Sequence, residues 1–123
     1  MRAGIISCHA DTPLREVAEM MAGYRVRAVI VEAAIREPGQ RPGIVSDLDL
    51  ARAAAAGDLG ARAGELAGQG AISIAPTEPL RRAAELMSEH GVSHLIVSTA
   101  SDARPAGIIS TLDLAVVVAW GRN

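Results

Sequence analysis

Two short stretches of the chain carry residue types that could do chemistry. Ser46-Asp47-Leu48-Asp49 and Ser110-Thr111-Leu112-Asp113 each set a hydroxyl three residues ahead of a carboxylate. They sit inside the phrases GIVSDLDLA (43–51) and GIISTLDLA (107–115), which agree at seven of nine positions. At the start of a helix this spacing closes a capping box: the serine oxygen accepts from the amide three residues on, and the acid reaches back to the serine amide. The same pair can also hold a ligand, the hydroxyl donating to a phosphate and the carboxylate accepting from both hydroxyls of a ribose. Gly43 and Gly107, three residues before each serine, would let another group come close to the backbone, and a helix start offers amides and a positive dipole end to an anion. Capping and ligand binding are both open at this point.

The elements that must position these residues repeat as well. A shift of 66 aligns residues 6–31 with 72–97, with eleven of 26 positions identical, among them Pro13/Pro79, Leu14/Leu80, Arg15/Arg81, Glu19/Glu85 and Met21/Met87. Beyond Val31 the shift becomes 64, because the first copy has a longer loop through Pro38, Gly39 and Pro42. Each copy opens with a short β-rich run, Ile5-Ile6-Ser7-Cys8 or Ile72-Ser73-Ile74. A helix follows, introduced by Thr12-Pro13 or Glu78-Pro79, with proline expected at the first helical position. Leu14, Val17, Ala18 and Met21 fall at i, i+3, i+4 and i+7, and Leu80, Ala83, Ala84 and Met87 repeat that stripe. Ala28 to Val31 and Leu95 to Val97 read as buried strands, followed across a Pro/Gly loop by Ile44-Val45 and Ile108-Ile109. A second helix closes each copy. The expected organisation is strand, helix, strand, strand, helix, twice: residues 1–56 and 71–123, joined by a glycine-rich connector at 57–70. A copy of roughly 50 residues buries little surface, so the fold is expected to be α/β (α+β), with two β-α-β-β-α repeats packed sheet to sheet as a pseudo-symmetric pair.

Composition narrows the function. The chain has 123 residues, net charge −2 and 50% apolar residues, and all 12 basic residues are arginine. Tyr24 and Trp120 are the only aromatics, so there is no stacking platform for single-stranded nucleic acid, and no basic cluster matches a run of phosphates. Cys8 is the single cysteine, which excludes an intramolecular disulfide and suits a reducing cytoplasm. The longest strongly apolar run, Leu114 to Trp120, falls far short of the roughly 20 residues that cross a bilayer, and the stretch before Asp11 is too short for a secretory signal. A cytoplasmic protein without membrane or nucleic-acid partners is expected. Cys8-His9, with His90 and His94, lacks metal-ligand spacing, and adjacent residues on a strand point to opposite faces, so no metal site is expected. No arrangement of titratable groups reads as a catalytic pair, and the chain is expected not to be an enzyme.

The repeated G-x-x-S-x-x-D phrase, the matched helices and the strands VRAVIV and VSHLIV together resemble the cystathionine-β-synthase (CBS) domain family, whose members occur as tandem pairs called Bateman modules. The resemblance spans essentially the whole chain. It implies a stand-alone regulatory module without a required cofactor, binding an adenosine-containing ligand (AMP, ADP, ATP or S-adenosylmethionine) in a cleft between the copies. It places Ser46 and Ser110 near phosphate and Asp49 and Asp113 on ribose. The residue opening the second strand is expected to face the phosphates; here this is Arg27 in one copy and Ser93, beside His94, in the other, so the two sites are not equivalent. Adenine is expected between apolar side chains, which points to Ile6, Ile44, Ile72 and Ile108. The second copy has Glu65 to Gly70 ahead of its first strand and the first copy shows no counterpart, so one site is expected to be open or degenerate.

The closing helix adds a partner. LAVVVAW is apolar on every side, whereas a helix on a monomer's surface needs a polar face. With ARAAAA of the first copy it predicts a helix-mediated homodimer, and a regulated protein partner is possible. The competing reading is a ligand-free dimerisation or docking module for an enzyme or transporter, in which the two phrases only cap helices.

Overall fold

A computed structural model describes residues 6–32, 42–67, 71–98 and 105–121. The start of the first strand at Ile5 and the loop with Pro38 and Gly39 lie outside these. The described residues fall into two units, 6–71 and 72–121. The first contains β1 (Ser7–His9), α1 (Leu14–Tyr24), β2 (Ala28–Glu32), β3 (Gly43–Ser46), α2 (Asp47–Ala55) and α3 (Ala63–Ala67). The second contains β4 (Ser73–Ile74), α4 (Leu80–His90), β5 (His94–Ser98), β6 (Pro105–Ser110) and α5 (Thr111–Trp120). Each has a three-stranded sheet, ordered β1-β2-β3 or β4-β5-β6, with the first pair parallel and the second antiparallel. The architecture is the mixed α+β one expected.

The two prolines sit one place earlier than expected. Pro13 and Pro79 have extended backbone (ψ 143° and 156°) and occupy the cap position, so the helices begin at Leu14 and Leu80. Their fixed φ serves the cap as well as it would a first helical residue. Both helices end on a residue in the left-handed region, Arg25 (φ 55°) and Gly91 (φ 62°), whose amides return to the carbonyls of Met21 and Met87. The matched pairs Arg15–Glu19 (4.0 Å) and Arg81–Glu85 (3.9 Å) are exposed i,i+4 ion pairs on the outer helix faces and contribute little to stability.

Strand alternation gives each sheet two distinct faces. In the first unit Leu14, Val17 and Met21 of α1 pack with Cys8, Val29, Val31, Val45, Ala53 and Ala63. In the second, Ala83 and Met87 of α4 pack with Ile74, Leu95, Val97 and Ile109. Fully burying a leucine- or valine-sized side chain contributes about 1.5–3 kcal/mol, so these helix-side clusters are the main source of stability in each unit. On the other face the register pairs Ala28 with Ser46 and Ile30 with Ile44, and in the second sheet His94 with Ser110 and Ile96 with Ile108. Ile30 and Ile96 are fully buried there although neither belongs to a helix-side cluster.

Residues 61–67 do more than connect. The Leu14 amide donates to the Ala61 carbonyl (3.0 Å), the Ala63 amide to Thr12 (2.9 Å) and the Gly64 amide to Ala10 (2.9 Å). Arg62 Nη1 adds a bond to the Asp11 carbonyl (2.6 Å). These hold α3 against the first sheet. Contact is close enough that a Cβ on Gly64 would lie 2.8 Å from the Ala10 Cβ, and one on Gly43 2.7 Å from the Ala67 Cβ.

Candidate functional site

Both Ser-x-x-Asp phrases fold as complete capping boxes. Asp49 Oδ2 accepts from the Ser46 amide (2.8 Å) and from its hydroxyl (3.0 Å), while the Asp49 amide donates to Ser46 Oγ (3.2 Å). The second box repeats this: Asp113 Oδ2 accepts from the Ser110 amide (2.7 Å) and hydroxyl (3.1 Å), and the Asp113 amide donates to Ser110 Oγ (3.4 Å). The serine is the last residue of β3 or β6 and the carboxylate stands in the first turn of α2 or α5, so strand and helix together fix the pair. The box fixes each carboxylate through Oδ2 beside the positive end of its helix.

Two features differ from the sequence reading. Gly43 lies on the helix side, opposite Val31, and the group that comes close to it is Ala67 of α3. Its missing side chain makes room for the fold, and α3 was hidden in a glycine-rich stretch that periodicity could not resolve. Nor are the helix-start amides open to an anion as expected. The Asp47 amide donates to the Arg27 carbonyl (2.8 Å) and the Thr111 amide to the Ser93 carbonyl (3.0 Å). With the third amide on the serine hydroxyl, two of the first three donors of each helix are satisfied internally.

Around the motifs, Arg27 is exposed, and its carbonyl bond to Asp47 holds its backbone at the mouth of α2. Ser93 Oγ lies 2.9 Å from His94 Nδ1, and His94 faces Ser110 across the strand pair. Arg27 and Ser46 thus meet at one end of the first unit, and Ser93, His94 and Ser110 at the matching end of the second. The four isoleucines do not form one set. Ile44 and Ile108 lie on the sheet face opposite the helices, whereas Ile6 and Ile72 pack against the helix-side clusters. All four are half-buried. Leu48 and Leu112, which the sequence reading passed over, stand between the serine and the aspartate and are 50% and 53% exposed. Their signal was the apolar residue in the second position of an otherwise polar helix start.

Comparison with known proteins decides the family. The CBS domain model matches residues 1–56 and 63–119. The chain belongs to the CBS domain family. No curated protein sequence matches it. Among solved structures, a CBS domain protein from Pyrobaculum aerophilum complexed with AMP is 29% identical, with a TM-score of 0.79, over 98% of this chain and 94% of that one. A CBS domain pair in complex with 5′-methylthioadenosine and S-adenosyl-L-methionine shares the fold at 19% identity and a TM-score of 0.83, over 99% and 94%. Hypoxic Response Protein I, solved with two coordinated zinc ions, is 25% identical with a TM-score of 0.71, over 94% and 93%.

In this CBS chain Cys8 and His9 stand on opposite faces of β1, Cys8 buried and His9 exposed. Burial pushes the Cys8 thiol above its ordinary pKa, a hydrogen bond with Thr12 draws it partly back, and the Glu16 charge adds to the rise. A protonated thiol is a poor metal ligand. Among the described residues no three His, Cys, Asp or Glu side chains gather into a metal-binding group, and no helix is long and apolar enough to cross a membrane.

Proposed function

We propose that this CBS pair is a non-enzymatic regulatory module that binds an adenosine-containing ligand at the Ser-Asp pair of each repeat and passes occupancy to a partner as a conformational change. The observation that carries the reading is the duplicated Ser-Asp pair, held in the same geometry at the same end of both sheets in a family whose AMP-bound member is 29% identical to this chain. In the proposal Asp49 and Asp113 accept from ribose hydroxyls, Ser46 and Ser110 face the phosphate side, Arg27, Ser93 and His94 flank them, and Ile44 and Ile108 contact adenine. Ile6 and Ile72 contribute backbone rather than side chain, since their side chains pack into the helix-side clusters. Ligand binding shifts the population toward the arrangement that it favours.

The module acts as a homodimer. On α5, Leu112, Val116, Val118 and Trp120 are 53%, 40%, 82% and 71% exposed, and no residue of that helix is buried. Such a surface is stable in water when a second copy covers it. A ligand-free docking module is the second reading, favoured by the completeness of the capping boxes, which satisfy serine and aspartate without a ligand. Thermal shift against AMP, ADP, ATP, S-adenosylmethionine, GTP and inorganic phosphate separates the two. A ligand at 100 times its Kd adds about 2.7 kcal/mol, so one adenosyl ligand should raise Tm by several degrees while phosphate does not. No shift with any of them would favour the docking module.

A further inference from the structure

A helix of five residues does not hold itself together in water, so α3 exists by virtue of what it rests on. We infer that residues 61–67 form a releasable strap, which lifts off the first sheet as a unit while the rest of the repeat stays folded, and so uncovers the Cys8 thiol. Docked and released states differ in the surface that the first repeat presents, which is the least that a conformational signal requires.

The attachments are polar and few. Three backbone bonds and the Arg62 guanidinium tie the segment to residues 10–14, and Pro13 and Arg62 form a single β-bridge. Its fully buried side chains are those of Ala61 and Ala63, with Leu66 and Ala67 half-buried, whereas α1 buries Leu14, Val17 and Met21. Apolar burial governs the cost of local opening, so the strap opens more easily than the helix and sheet beneath it. The chain leaves α2 through Gly57 (φ 75°), and past the strap the Ala71 amide donates to the Pro42 carbonyl (3.0 Å), so both ends stay anchored when it lifts. Beneath it lies the end of β1. α3 packs on that strand, Ala63 shares its buried cluster with Cys8, and the Ala63 amide bonds the carbonyl of Thr12, whose side chain is hydrogen-bonded to the thiol. Cys8 is the only cysteine of the chain, so its thiol reports the state of the strap without interference.

Alkylation of Cys8 by iodoacetamide, followed by mass spectrometry at pH 8 from no urea up to the unfolding transition, tests this on the wild-type chain and on Arg62→Gln, Gly64→Ala and Met21→Ala, with the urea midpoint of each recorded. A strap that opens by itself makes the wild-type rate nearly independent of urea below the transition, and at least about tenfold faster than global unfolding alone would allow. Arg62→Gln removes the bond to Asp11 and should raise that rate at least about threefold. Gly64→Ala sets a methyl group against Ala10 and should raise it at least about tenfold. Met21→Ala removes a buried side chain about two turns along α1 from the Leu14 amide that bonds Ala61, so it should lower the urea midpoint and leave the low-urea rate unchanged. Alkylation that follows global unfolding at every urea concentration, a Met21→Ala rate that rises as far as its midpoint shift requires, or an unchanged low-urea rate in either folded strap variant would each overturn the strap. Should Gly64→Ala fail to fold, Arg62→Gln decides alone, since Arg62 is exposed and its side chain bonds only the Asp11 carbonyl among the described residues.

Discussion

The first repeat carries a helix against its sheet that the second repeat, among the described residues, does not. α3 adds Ala63 to the first core, with Leu66 and Ala67 packed beside it, and Leu14 at the head of α1 is 1% exposed. In the second repeat the equivalent Leu80 is only half-buried, and α5 buries none of its residues whereas α2 buries Ala53. Nearly the same sequence unit therefore yields a well-covered core in one copy and a helix with apolar surface to spare in the other. The lesson is that the repeat sets strand order and the Ser-Asp geometry, while neighbouring segments set how much of each core is covered.

The largest expected effect probes that coverage. Leu14→Ala should destabilise the first repeat by about 2–5 kcal/mol, and Leu80→Ala the second by about 1–2 kcal/mol, as measured by chemical denaturation. Equal costs would break the comparison. Next in size is the self-association proposed above: Val118→Arg, at an 82% exposed position, should weaken the proposed dimer by at least about tenfold in sedimentation equilibrium without lowering helix content. A dimer unaffected by this change would place its interface elsewhere.

How much of this could be read in the sequence follows the same division. Period and repeat were legible: the stripe Leu14, Val17, Met21 faces the core, the strands Ala28 to Val31 and Leu95 to Val97 are found with one residue added at one or both ends, and both helix starts were visible in S-x-x-D. α3 was not legible, because its five residues are alanine, glycine, glutamate and leucine without a stripe, and tertiary contact rather than propensity makes it a helix. The role of Gly43 was misread for the same reason, since its close neighbour is 24 positions away and on an unforeseen element. The separation of Ile6 and Ile72 from Ile44 and Ile108 needed the strand register, which composition does not supply.

Smaller effects sharpen the comparison further. Ser46→Ala should lower stability by about 1–2 kcal/mol and Ser110→Ala by about 1 kcal/mol, read as Tm, because Ser46 is buried (8% exposed) and Ser110 only partly so. The smallest concerns the helix ends: Arg25 holds a left-handed conformation that Gly91 adopts freely at the matched position. Arg25→Gly should stabilise by about 0.5–1 kcal/mol and Gly91→Ala should destabilise by a similar amount.

The most direct test of the central claim, that the Ser-Asp pairs bind ribose as well as cap helices, is calorimetric titration of AMP into the wild-type chain and into Asp49→Asn/Asp113→Asn, with melts recorded on both. The account predicts that binding is lost while Tm changes by only a few degrees. Wild-type affinity for AMP in the folded double variant would contradict it and leave the two motifs as caps alone.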